Sequence, residues 1–164
     1  MTQVELNWLD GTDSGRYVVC PERAVESWTY ERVEELLDQH IDEYATAFPV
    51  DGHGDVLVLA GEPLPIAWLA EERVFVRPVH CPCSDAVRPL VREALRSGVW
   101  QDGPTVELTA GRYLLTDAAY DGEEMLPQGR HLAVELARGR YLVQSLVDSA
   151  PEAPFYLERL LPAR

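Results

Sequence analysis

Lysine is missing from this chain. All 14 basic residues are arginine, against 28 acidic ones, and the net charge is −14. So little positive charge argues against nucleic acid as a partner, because a polyanionic backbone is repelled. Anionic membrane surfaces are disfavoured for the same reason. Without lysine there is no glycine-rich phosphate loop of the kind that closes on a lysine and opens a helix. An all-arginine bias fits a GC-rich genome and points to a bacterial source. No apolar run approaches the roughly 18 residues of a membrane helix. Cysteine is scarce and odd in number, at Cys20, Cys81 and Cys83. The opening residues Met1 to Glu5 have neither the basic region nor the apolar run of a signal peptide, so free thiols in a reducing cytoplasm are expected. A Gly-x-Ser-x-Gly elbow is absent, as is a cysteine–histidine signature. No catalytic residue, cofactor-binding residue or metal ligand is assigned, and the expectation is a protein that is not an enzyme.

The chain has 164 residues and an apolar content of 46%, enough to build a core and too much for a disordered segment. A single domain over 1–164 is expected, with a helix-containing part at 1–100 and a hairpin-rich β part at 101–164. Val4–Trp8 and Arg16–Cys20 read as strands, the second stopped by Pro21. Asp55-Val56-Leu57-Val58-Leu59-Ala60 is a continuous apolar strand of the kind buried on both faces. Gly61-Glu62-Pro63-Leu64-Pro65 is a stiff turn, and Arg73–His80 is a further strand. Trp8, Trp28, Trp68 and Trp100 are scattered along the chain as core anchors rather than grouped as a stacking platform.

Two helices stand out. Residues 22–45 form a helical region in which Val33, Leu36, Leu37, His40, Ile41 and Tyr44 share a face, with Thr29 as N-cap. Opposite lie Glu31, Glu34, Glu35, Asp38 and Asp42, five carboxylates within an arc of roughly 100° that contains no arginine. This acidic face is the candidate partner-binding surface. The second helix runs from Asp85, its expected cap, to Ser97, with Val87, Leu90, Val91, Ala94 and Leu95 as its apolar stripe. Pro89 falls in its first turn and Gly98 closes it.

An internal repeat marks the C-terminal part. Val106-Glu107-Leu108-Thr109-Ala110-Gly111-Arg112-Tyr113-Leu114 returns as Val134-Glu135-Leu136-Ala137-Arg138-Gly139-Arg140-Tyr141-Leu142, and Gly15-Arg16-Tyr17 is a partial third copy. Each copy reads as strand, tight glycine turn, strand, with Tyr113 and Tyr141 buried. Two hairpins and a closing strand at Phe155–Leu160 give an α+β fold: an antiparallel sheet or small sandwich with two main helices packed on it.

His80-Cys81-Pro82-Cys83 is the most metal-like cluster. Zinc sites space local ligands C-x₂₋₄-C and need a second pair, for which Cys20, His40 and His53 are the candidates. The C-x-C spacing with an intervening proline favours instead a strand end carrying small thiols. A thiol-dependent or zinc-binding protein is the alternative reading, and a general interaction module a third. His40 and His131 are read as structural.

The chain resembles the immunity protein 21 family of bacterial polymorphic toxin systems. The resemblance is carried by Asp55–Pro65, by Phe75-Val76-Arg77, and by His131-Leu132-Ala133-Val134-Glu135-Leu136 with Gly139-Arg140-Tyr141. Trp8, Tyr17–Glu22 and Trp28 fit as well. It implies a protein that protects the producing cell by binding a cognate toxin, without chemistry of its own. An acidic inhibitor suits a basic toxin, such as a nuclease whose substrate is a polyanion.

Overall fold

The computed structural model describes residues 5–12, 15–38, 44–50, 52–148 and 155–163. Among these, strands dominate: β1 (Tyr17–Pro21), β2 (Ala45–Val50), β3 (Gly54–Leu59), β4 (Ala67–Leu69), β5 (Val74–Pro78), β6 (Val99–Leu108), β7 (Gly111–Asp117), β8 (His131–Leu136), β9 (Gly139–Asp148) and β10 (Phe155–Pro162). Helices are few and short: α1 (Tyr30–Leu37), α2 (Val87–Ser97) and α3 (Gly122–Met125), with a 3-10 turn at Glu22–Ser27. The expected α+β composition holds in this coarser form, as a mostly antiparallel β-structure with little helix. The strands form two five-stranded sheets, ordered β2-β3-β1-β7-β8 and β4-β5-β10-β9-β6. Every pairing is antiparallel, and each sheet draws on both halves of the chain.

Strand alternation explains the layering. In β1, Tyr17 and Val19 join a cluster that also holds Leu57, Leu59, Phe75, Val106, Tyr141, Val143 and Leu160, so these side chains fill the space between the sheets. The intervening Val18 and Cys20 point the other way, into a second cluster with Trp28, Val33, Val56 and Val58 under α1 and the 3-10 turn. On the far sheet Val74, Val76, Phe155 and Leu157 meet Val87, Val91 and Ala94 of α2. Both sheets are therefore covered inside and out over their centres. That is why β1 and β5 are buried at every position and why the 55–60 run reads as continuously apolar.

The repeat corrects the hairpin expectation. β6 pairs with β9, and β7 with β8, so neither copy folds back on itself. The register Leu108↔Gly139 in one sheet continues as Gly111↔Leu136 in the other. The two copies are thus partners in one long two-stranded ribbon that bends from sheet to sheet. At each bend a glycine takes a positive φ, Gly111 at 127° and Gly139 at 156°. Two residues on, Tyr113 and Tyr141 are buried as expected, 1% and 6% exposed. The Tyr113 hydroxyl accepts from the Thr109 amide at 3.0 Å, and the Tyr141 hydroxyl donates to the Ala137 carbonyl at 3.0 Å. Each tyrosine ties its own corner across four residues. The closing strand expected at Phe155–Leu160 is present as β10, which lies mid-sheet between β5 and β9.

The helical expectations need similar trimming. Thr29 caps α1 as expected, its hydroxyl accepting from the Arg32 amide at 3.3 Å. The helix ends at Leu37, however, and residues 45–50 form β2, paired with β3. Tyr44 stands exposed before that strand, while His40, Ile41 and Asp42 lie outside the described residues. In α2 the capping position is Ala86, and the Asp85 carboxylate instead accepts from the Leu6 amide at 2.9 Å. Leu90 is exposed, while Val87, Val91 and Ala94 form the buried stripe. Gly98 ends the helix as expected.

Candidate partner-binding surface

α1 meets the first sheet through Val33 and Leu36, which leaves the opposite face to solvent. Glu31, Glu35 and Asp38 are exposed there. Glu34 is half-exposed, and Arg16, just before β1, approaches it to 3.9 Å. The expectation that no arginine reaches this face is therefore corrected for Glu34. Arg16 lies far away in sequence, but the sheet brings it alongside.

The structure extends this surface with a segment that helical periodicity did not connect to it. The Asp121 carboxylate accepts from the Tyr30 amide at 2.8 Å, and the Trp28 carbonyl accepts from the Gly122 amide at 3.0 Å. α3 is thereby clamped beside the start of α1. Gly122 makes this possible, because a Cβ there would meet the Val25 carbonyl oxygen at 2.4 Å. Glu123 and Glu124 of α3 are exposed and add their charge to that of Glu31. Between the two helices lies an open cleft of about 450 Å³, lined by Tyr30, Glu31, Tyr120, Asp121 and Glu124. Tyr30 is 43% exposed, a large aromatic ring left out among carboxylates. Amphipathic rings beside charge are typical anchors of protein interfaces.

Cys20 falls apart from the Cys81–Cys83 pair. Cys20 is buried under the 3-10 turn and α1, where desolvation pushes its thiol pKa up to about 12. Cys81 packs with the α2 cluster on the outer side of the other sheet. Burial and the neighbouring Cys83 raise the Cys81 pKa, and burial and Asp10 raise that of Cys83. These shifts disfavour thiolates at neutral pH. Among the described residues no three histidine, cysteine, aspartate or glutamate side chains converge as a metal-binding group. Nor is any helix of those residues long and apolar enough to cross a membrane.

A family model described as immunity protein 21 matches residues 7–153. No curated protein and no solved structure matches the chain.

Proposed function

We propose, from the premise that this chain belongs to the immunity protein 21 family, that it binds and neutralises a cognate bacterial toxin in the cytoplasm of the producing cell. The family assignment over residues 7–153 is the observation that carries the reading. The neutralisation is steric and needs no catalysis by this chain. The acidic face of α1, with Glu31, Glu34, Glu35 and Asp38, is its docking surface for a basic toxin, and Asp42 follows in sequence. Net charge of −14 supports a basic partner, since a field of that sign speeds encounter with a positive surface. Exposed carboxylates set the association rate and its salt dependence, whereas the cleft beside Tyr30 supplies an anchor that slows release.

The test is association of the purified chain with the toxin encoded beside its gene, followed by stopped flow at several salt concentrations. The expected result is a tight one-to-one complex that forms more slowly as salt rises. A toxin equally active with and without this chain would refute the reading.

A further inference from the structure

We infer that β8 is a self-docking edge, through which two copies of this chain join their first sheets into one. Four strands lie at sheet edges: β2, β8, β4 and β6. Three of them carry a device that blocks further pairing. β2 contains Pro49 and is packed against by β6. β4 has only 3 residues. β6 is broken by two register irregularities around Trp100 and Gly103-Pro104. β8 has none of these. It is regular over 6 residues, His131-Leu132-Ala133-Val134-Glu135-Leu136, with β7 on one side and no strand on the other among the described residues.

The strand is also complementary to itself. In antiparallel self-pairing centred on Ala133, His131 of one copy faces Glu135 of the other, twice, and Leu132 faces Val134, twice. Directly opposed residues on neighbouring strands lie close enough to interact. His131 is half-buried and Glu135 exposed on the same outward face of β8, so an imidazole meets a carboxylate at each end of the pairing. Moving the centre to Val134 would set Arg130 against Arg138 and leave Glu135 opposite Ala133. The Ala133-centred register is therefore favoured over that one, with the exposed Ala133 meeting itself on the two-fold axis. The occupant is a second copy of this chain, because the facing partners His131 with Glu135 and Leu132 with Val134 come from the same strand.

A six-residue ribbon is smaller than a standard interface, and each chain carries −14, so the association is weak and strengthens with salt. Sedimentation velocity on the full chain should show its mass rise toward that of two chains with concentration and with added salt. Ala133→Asp places two carboxylates face to face on the axis, and Ala133→Lys two ammonium groups. Each variant should stay monomeric with an unchanged melting temperature, because Ala133 is exposed. Mixed together, the two should form a heterodimer tighter than the wild-type pair. A wild-type chain that is monomeric at every concentration and salt overturns the proposal. So does a dimer indifferent to both substitutions, or a mixture that stays monomeric. An edge reserved for an extended segment of the toxin would give the first of these results.

Discussion

Arg77 on β5 and Glu158 on the adjacent β10 are ion-paired inside the layer between the two sheets, 0% and 1% exposed. Alternation puts them there: Arg77 shares a face with Phe75, and Glu158 with Leu160. Gly61 leaves room for the guanidinium, since a Cβ there would stand 3.4 Å from Nη1, and the Tyr156 ring lies 5.5 Å from the guanidinium carbon. Burial drives the Glu158 pKa up, and Arg77 only partly offsets this.

The pair should respond unequally to losing either member. Glu158→Leu strands a guanidinium that cannot shed its proton and should cost about 3–5 kcal/mol. Arg77→Met should cost less, because the remaining carboxyl can stay protonated. Its folded-state pKa then lies further above the unfolded value. That variant keeps its stability below about pH 4 and loses about 1.4 kcal/mol per unit as pH rises toward the folded-state pKa. Thermal melts at pH 5.5 and pH 8 should show the gap to wild type widening at the higher pH. The double change Arg77→Met with Glu158→Leu should recover most of the loss.

The corners make a second prediction. A Cβ at Gly111 would touch nothing within 4 Å, so Gly111→Ala isolates backbone strain at φ 127° and should cost about 1–3 kcal/mol. Gly139→Ala adds a contact at 3.3 Å with the Tyr141 ring and should cost more. Tyr141→Phe removes only the hydroxyl bond to Ala137 and should cost about 1 kcal/mol. Urea denaturation of the three variants gives the order directly, and equal costs for the two glycines would contradict this account.

Thiol chemistry makes a third. With a thiol-reactive reagent at pH 8, Cys83 should modify first, Cys81 more slowly, and Cys20 only on unfolding, following exposed, half-buried and buried positions. Cys81→Ser and Cys83→Ser should leave the melting temperature and the zinc content of the purified protein unchanged. A loss of about one zinc per chain in either variant would restore the metal reading of His80-Cys81-Pro82-Cys83.

How much was legible in the sequence follows the range of the forces involved. The burial of Tyr113 and Tyr141 and the Thr29 cap follow from local chemistry, so both could be read directly. Pairing partners are not local. A positive-φ glycine announces a turn but not which strand lies across from it, and so the corners looked like hairpins. β2 was hidden because Tyr44 extends the helical spacing begun at Val33, while pairing of Thr46 with Val58 decides for strand. Within the candidate surface the α1 carboxylates follow from period alone. Glu123 and Glu124 join them through the Tyr30–Asp121 and Trp28–Gly122 bonds, long-range contacts that periodicity does not announce.

The last prediction separates binding from stability on the α1 face. Glu31 and Glu35 are one helical turn apart, both exposed, and no ion pair links either to a basic residue among the described residues. Like charges at that spacing cost a helix a few tenths of a kcal/mol. Glu31 sits in the first turn, where the helix dipole favours it, so the repulsion falls on Glu35 and Asp38. Replacing Glu35 by Gln and Asp38 by Asn should therefore leave the melting temperature equal to wild type or slightly higher. If the face meets a basic toxin, the same variant should associate more slowly and lose part of its salt dependence, with a smaller effect on dissociation. Glu34→Gln serves as the internal comparison. Arg16 already screens that carboxylate at 3.9 Å, so its removal should slow association less. A double variant whose association rate and salt slope match wild type would place the toxin elsewhere on the molecule. An association rate that falls only together with the melting temperature would mean that the helix had been damaged rather than its charge removed.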